Sequence, residues 1–352
     1  ERYAGAGRVR ARRDAPTTID REAWTAVAEA GWLAILTPIE TGGLGLGLIE
    51  VALIAEQAGI GLLDAPIAAS ALAARMISEG DSEALRIDLT PEIIVGEQIV
   101  VPAFQESAIA PDAEPSVVIA TKDGEGFLLT GTKRFVPCAA DADGFLVNAA
   151  GTDGMVVAYV PSDITEIATT NTVDGGSWGD VSLAGAKVST ENIIAGPNRA
   201  PTLAAHLIDS MLIVLGAELL GVADAAPNMA IEYIKVREQF DRPIGSFQAL
   251  QHRAVNDYVE VETTRSMVFQ AAEVADSDRG TSAMASAVKA KSSSAALSVT
   301  KSAIQMHGGI GFTDEHDIGL YLKRAMALAA QYGNEAIHRA RYARLAGIEA
   351  AK

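Results

Sequence analysis

The chain has 352 residues, 49% of them apolar and only 5% aromatic, and 28 Lys and Arg against 45 Asp and Glu leave a net charge of −17. That balance argues against nucleic acid as the main partner, since phosphate binding needs a clustered positive field. Cys138 is the only cysteine, which excludes an intrachain disulfide and a cysteine-rich metal site.

Glu1 to Arg13 is polar and basic and is expected to be a mobile arm. No hydrophobic signal core follows it, and no uninterrupted apolar run of about 18 residues occurs anywhere. The expectation is therefore a cytoplasmic chain without membrane contact. From Asp20 to Leu85 the pattern is helical: Trp24, Val27, Ala28 and Trp32 fall at helical spacing, and Leu48 to Ala58 continues it. Between them Thr37-Pro38 and Gly42-Gly43-Leu44-Gly45-Leu46-Gly47 form a loop. No Lys-Ser/Thr follows those glycines, so they are not read as a phosphate cradle.

From Ile93 the pattern changes to short β-type runs at 99–104, 116–120, 126–130, 145–147 and 155–160. Asp-Gly and Gly-rich turns separate them, which suggests a small antiparallel barrel or sandwich. From Pro201 to Ala351 helical periodicity returns, interrupted mainly at Pro243 and Gly308-Gly309, and four or five long helices fit, as in a bundle. The fold class is α+β, mostly α. Its parts are a helical domain over 1–92, a β domain over 93–198 and a helical bundle over 199–352.

The run Gln305-Met306-His307-Gly308-Gly309-Ile310-Gly311-Phe312 resembles the Gln-x-x-Gly-Gly-x-Gly-Phe segment of the acyl-CoA dehydrogenases, and the order helical, β, bundle is also theirs. Arg237, Phe240 and Gln248 keep the spacing of that family's Arg-x-x-Phe-Gly-x-x-x-x-x-x-Gln segment, with Asp241 in place of the Gly. The resemblance implies that Arg237 reaches across a subunit interface to the pyrophosphate of FAD. A guanidinium suits that role because it is permanently charged and can donate two parallel hydrogen bonds. Gln305 and the Gly308-Gly309 backbone would lie beside it, and Gln251 and His252 fall in a segment that touches FAD in the family. The cofactor-binding candidates are thus Arg237, Phe240, Gln248, Gln251, His252, Gln305, Gly308 and Gly309.

The rest of the family pattern is eroded. Its Ile-Tyr-Glu-Gly-Thr segment supplies the base that removes the substrate's α-proton, and here, aligned on Gly333, that position holds Tyr332. A tyrosine of pKa near ~10 is a poor base at neutral pH. The alternative base position, on the first bundle helix, falls on Met211; Asp209 and Glu335 are the nearby carboxylates. On the flavin-ring side, Ala103-Phe104-Gln105-Glu106-Ser107 and Gly131 to Cys138 stand for the family's Thr-Glu-Pro and Lys-x-Trp-Ile-Thr-Asn segments. Phe135 replaces the Trp, and is expected in the barrel core; Pro137 replaces the Thr and offers neither hydroxyl nor N–H.

Glu335 and His338 share a helix face at i,i+3 without a matching pair elsewhere, so a solvated face is expected there and no metal site. The resemblance therefore implies no catalytic residue in this chain. It implies a non-catalytic subunit of an α2β2 heterotetramer that supplies the ADP half of an FAD site. A homologous catalytic acyl-CoA dehydrogenase subunit would bind most of the acyl-CoA, possible substrates include steroid side-chain CoA thioesters, and electron-transfer flavoprotein is a possible acceptor. Two alternatives stay open: an active homomeric flavoenzyme using Asp209 or Glu335, and a flavin-free assembly subunit.

Overall fold

The α-helices lie before Val95 and from Ala200 onward, with the main strands between them. The computed structural model describes residues 3–13, 19–108, 114–277 and 281–348. Helices α1 (Ala6–Arg13), α2 (Arg21–Glu29), α3 (Leu48–Gly61), α4 (Ile67–Glu79) and α5 (Glu83–Ile94) come first. Side-chain oxygens set their starts: Asp20 accepts from Ala23 N–H at 3.1 Å for α2, and Ser82 from Leu85 N–H at 3.2 Å for α5. Ten strands follow: β1 (Val100–Ala103), β2 (Ile119–Asp123), β3 (Gly126–Thr130), β4 (Thr132–Pro137), β5 (Gly144–Gly151), β6 (Gly154–Pro161), β7 (Glu166–Asn171), β8 (Ser177–Ser182), β9 (Ala186–Val188) and β10 (Ile193–Ala195). The bundle helices are α6 (Ala200–Val236), α7 (Gln248–Asp276), α8 (Ser282–His307), α9 (Ile318–Ala330) and α10 (Glu335–Leu345).

These elements form two compact units, one of residues 14–51 and 64–211, the other of 1–13, 52–63 and 212–352. In the first, Trp24, Leu33, Ile77, Ile93 and Ile99 are almost fully buried, and Trp24 Nε1 donates to the Gly96 carbonyl at 2.8 Å. Its main sheet runs β10-β6-β5-β2-β3-β9, with β1 also on β5; a second sheet runs β4-β8-β7. The antiparallel expectation needs correction, because β1 and β2 both pair with β5 in parallel, at its two ends. A period-2 pattern reports which side chains are buried but not how the connections route the strands.

In the second unit, five helices continue the chain from Leu212 and two earlier pieces join them. Gly59 and Gly221 let α3 and α6 touch: a Cβ on Gly59 would lie 2.1 Å from the Glu218 carbonyl, and one on Gly221 would lie 1.9 Å from that of Glu56. Arg265 on α7 binds Glu56, Asp224 and Glu262 together, tying α3, α6 and α7. The basic N-terminal segment is a further correction. Glu1 and Arg2 lie outside the described residues, but Ala6–Arg13 is a helix with Val9 buried and with Arg10 and Arg13 ion-paired to Asp317 and Asp314. Its local charge pattern looked solvated because its acidic partners lie 300 residues away. Helix α6 is long and apolar enough to cross a membrane, yet 83% of its most apolar window is buried, as in a core helix.

Candidate cofactor site

The family-like residues after Leu212 gather at one end of the bundle. Helix α6 ends at Val236, and Glu238–Gln239 (β11) pairs with Arg242–Pro243 (β12) in a two-residue hairpin. Its tip, Phe240 and Asp241, has φ of 57° and 61°, as a type I′ turn requires. Asp tolerates that conformation and Phe does so at a cost of roughly 1–2 kcal/mol. The Phe240 ring is 84% exposed and meets Phe247 edge-on at 5.9 Å, while Arg242 lies 4.3 Å over the Phe247 ring. The hairpin closes on the start of α7 through Ile244 N–H to the Arg237 carbonyl, 2.8 Å, and Gln251 Nε2 to the Gly245 carbonyl, 2.9 Å.

The C-terminus of α8 joins the same end. His307, its last residue, stacks on Tyr233 of α6 with ring centroids 4.7 Å apart, so Gln305, Gly308 and Gly309 are carried beside the end of α6. Gly308 has φ 66° and ψ −141°, a conformation reserved for glycine, and a Cβ at Gly308 or Gly309 would meet nothing within 4 Å. The open side of this turn is therefore not filled by the chain itself. His307 is no free acid–base group: its Nδ1 lies 2.8 Å from the Ala303 carbonyl, and burial lowers its pKa.

Among the described residues the guanidinium of Arg237 and the amides of Gln248 and Gln305 make no hydrogen bond or ion pair. A groove of about 920 Å³ runs between α7 and α8 from this end. His252, Arg253 and Asn256 line one wall and Ser298, Lys301 and Gln305 the other. Beneath them the buried Asp257 accepts from Ser302 Oγ at 2.6 Å, and burial pushes its carboxyl above the usual range, partly offset by that bond. Arg253, Asn256 and Lys301 were not picked out from sequence. Their signal was present as the i,i+4 pairs Lys301/Gln305 and His252/Asn256, which become one groove only when α7 and α8 are antiparallel. Free cations, amide donors and an open glycine backbone at one place suit a phosphate ester with attached polar groups.

The segments standing for the ring side lie in the other unit. Lys133 of β4 is fully buried and donates to Glu106 at 2.6 Å. Glu106 also accepts from the amides of Ser116 and Val117, both 2.7 Å, and of Val118, 3.0 Å. Burial alone would raise the Glu106 carboxyl; Lys133 and the amides overcome it and hold it at about 2. Burial pulls the Lys133 ammonium down to about 8 against the pull of that carboxylate. Phe135 is not a core residue. A register shift between Lys133 and Val136 throws it to φ 56°, half-buried, edge-on to Trp178 at 6.0 Å and under the Arg134 guanidinium at 4.8 Å. Pro137 pairs with Trp178 across β4 and β8.

Neither of the two positions expected to hold a base, Tyr332 and Met211, is a carboxylate. Tyr332 has φ 53°, is buried, and burial raises its hydroxyl pKa far above the usual value. Its turn is held from both sides. Lys289, fully buried, donates to the carbonyls of Ala329, 3.0 Å, and Gly333, 3.1 Å, and His338 Nε2 lies 2.8 Å from the Tyr332 carbonyl. His338 is thus wholly buried rather than on the solvated face expected for it, while Glu335 pairs with Arg339 at 2.7 Å. Met211 and Asp209 are both buried on α6. Among the described residues no group of three His, Cys, Asp or Glu could hold a metal.

Two family models match the chain: "Acyl-CoA dehydrogenase, N-terminal domain" over residues 6–97 and "Acyl-CoA dehydrogenase, C-terminal domain" over 202–346. The chain is 31% identical to acyl-CoA dehydrogenase FadE27 of Mycobacterium tuberculosis, covering 87% of this chain and 83% of that one. It is 30% identical to acyl-CoA dehydrogenase IpdE2 of Mycolicibacterium smegmatis, over 95% and 90%. Among solved structures it resembles the Tcur3481-Tcur3483 steroid ACAD G363A variant, with TM-score 0.89, 29% identity, and 98% of this chain and 94% of that one covered. The ChsE4-ChsE5 complex from M. tuberculosis matches with TM-score 0.88 and 28% identity over 97% and 92%.

Proposed function

The chain belongs to the acyl-CoA dehydrogenase family, and from that premise we propose that it is the non-catalytic subunit of a heteromeric, FAD-dependent acyl-CoA dehydrogenase. What supports the proposal is the pairing of a bundle end with unengaged polar side chains and a buried tyrosine at the position expected to hold the base. Arg237, Gln248, Gln305 and the Gly308-Gly309 backbone are free to hold a dinucleotide, while buried Tyr332 replaces the carboxylate.

In this assignment a homologous subunit supplies the base and most of the acyl-CoA pocket, in a cytoplasmic α2β2 assembly. Arg237 binds the pyrophosphate, Gln248, Gln251, His252 and Gln305 contact the rest of the ADP half, and Phe240 shields it from water. FAD held there would supply a hydride acceptor for the substrate's β-carbon. This chain's part is to bind and orient; it moves no proton at the α-carbon. A steroid side-chain CoA thioester is the substrate class we favour, because two structural relatives are heteromeric by name and one is named a steroid enzyme. An electron-transfer flavoprotein would reoxidise the flavin.

The test is to express the chain alone and together with a neighbouring acyl-CoA dehydrogenase gene, then measure FAD per chain and turnover. The isolated chain should bind little FAD and oxidise no acyl-CoA. In the complex Arg237→Ala should weaken FAD retention about 30- to 1000-fold, the loss of a charge-assisted phosphate contact of roughly 2–4 kcal/mol, and added FAD should restore activity. A yellow, active chain without a partner at about 1 s⁻¹ or faster would overturn the assignment. An Arg237→Ala complex with unchanged flavin would instead mark a flavin-free assembly subunit.

A further inference from the structure

Helix α1 carries four arginines in eight residues, and two of them end on one acidic turn. Arg10 binds Asp317 at 2.6 Å and the Asp314 carbonyl at 2.9 Å; Arg13 meets both carboxylate oxygens of Asp314 at 3.0 Å. The helix is also held at its middle by buried Val9 and at its start by Gly5 N–H to the Gly61 carbonyl, 2.7 Å. Residues 314–317 begin two residues after the Gly308–Phe312 segment and carry His316. That ring lies 4.3 Å from His307 and edge-on to Tyr233 at 6.3 Å.

A continuous line of contacts therefore runs from Arg10 and Arg13 through Asp314 and Asp317 to His316, His307 and Gly308. Gly308 and Gly309 have no neighbour within 4 Å on their open side, so nothing in the chain buttresses the turn from there. Gly311 packs the middle of the segment on α8, where a Cβ would lie 2.8 Å from the Ile304 carbonyl, and the 314–317 turn follows at its far end.

We propose that α1 is an ionic strap that positions the Gly308–Gly309 turn for the FAD pyrophosphate, with Arg10, Arg13, Asp314 and Asp317 as positioning residues. This rests on the assignment of the bundle end as the ADP-half site. Arg10 and Arg13 touch no ligand; they act by fixing the turn that does.

The experiment uses the assembled complex and compares Arg10→Ala/Arg13→Ala with the charge-swapped Arg10→Asp/Asp317→Arg. FAD affinity is read by flavin fluorescence, and amide exchange is read separately at residues 308–318. Losing these exposed ion pairs should weaken FAD binding about 3- to 10-fold and speed exchange across 308–318. The charge swap should restore both to within about 2-fold of the parent. A strap variant with unchanged exchange and affinity overturns the proposal, as does a loss that the swap leaves unrepaired. Arg237→Ala, measured in parallel, separates the two levels. If it too leaves FAD binding unchanged, the site assignment has failed; if it alone weakens binding, only the strap has.

Discussion

Replacing Glu106 by Gln should be among the most damaging single changes in the β-containing unit. The substitution keeps shape and removes one negative charge. Lys133 is fully buried, and Glu106 is its ion-pair partner. Its ammonium is already lowered to about 8 with that partner present. Three backbone amides, of Ser116, Val117 and Val118, also converge on the two carboxylate oxygens. A glutamine has one acceptor oxygen, so at least one amide loses its bond while the ammonium is left uncompensated. Breaking a buried pair from one side costs about 3–5 kcal/mol. For a unit of this size that is a fall in melting temperature of roughly 6–20 °C.

Thermal unfolding followed by circular dichroism reads the total, and amide exchange at Ser116, Val117 and Val118 places it. Glu106→Gln/Lys133→Met removes both charges and should recover at least half of the loss, because no charge remains buried. In acid the parent should follow the same pair. The Glu106 carboxyl is held at about 2 against an unfolded value of 4.5, so its contribution is complete above pH 4.5 and disappears as pH falls towards 2. A Glu106→Gln cost below about 1 kcal/mol, or a double variant no better than the single one, would refute the reasoning.

Burial holds the Lys289 ammonium at about 7 against 10.5 unfolded. The folded chain therefore releases this proton first, and stability should rise as pH goes from 7 towards 10.5. Lys289→Met should reduce that rise in urea titrations at a series of pH values, most clearly between pH 7 and 8 where Lys133 does not yet contribute, and a variant with an unchanged slope would place the titration elsewhere. Gly221→Ala drives a Cβ to 1.9 Å from the Glu56 carbonyl and should destabilise by about 1–3 kcal/mol or more. Gly309→Ala meets nothing and should leave the melting temperature within about 1 °C while lowering FAD retention by the complex. Tyr332→Phe should leave turnover of the complex almost unchanged in a steady-state assay, since the buried hydroxyl stays protonated; a dead variant would bring the chemistry into this chain.

Period and composition were enough to separate helices from strands, since burial of one face imposes period 3.6 or period 2 locally. The Ala-rich run after Pro201 became five helices, and the runs at 126–130 and 155–160 lie within strands. The bundle-end candidates came from the family resemblance and not from periodicity: Arg237, Gln248, Gln305 and Gly308-Gly309 sit in short motif segments, which the structure places at one hairpin and one helix end. Tertiary structure decided what depends on distant partners. A helical Ala6–Arg13 needs Asp314 and Asp317, the parallel pairing of β1 and β2 needs the length of β5, and His338 faces inward because the Tyr332 carbonyl lies there. Lys133, Lys289 and Asp257 look like ordinary surface charges in the sequence. Only folding surrounds them, and it is the loss of water that turns each into a residue with a specific partner and a displaced pKa.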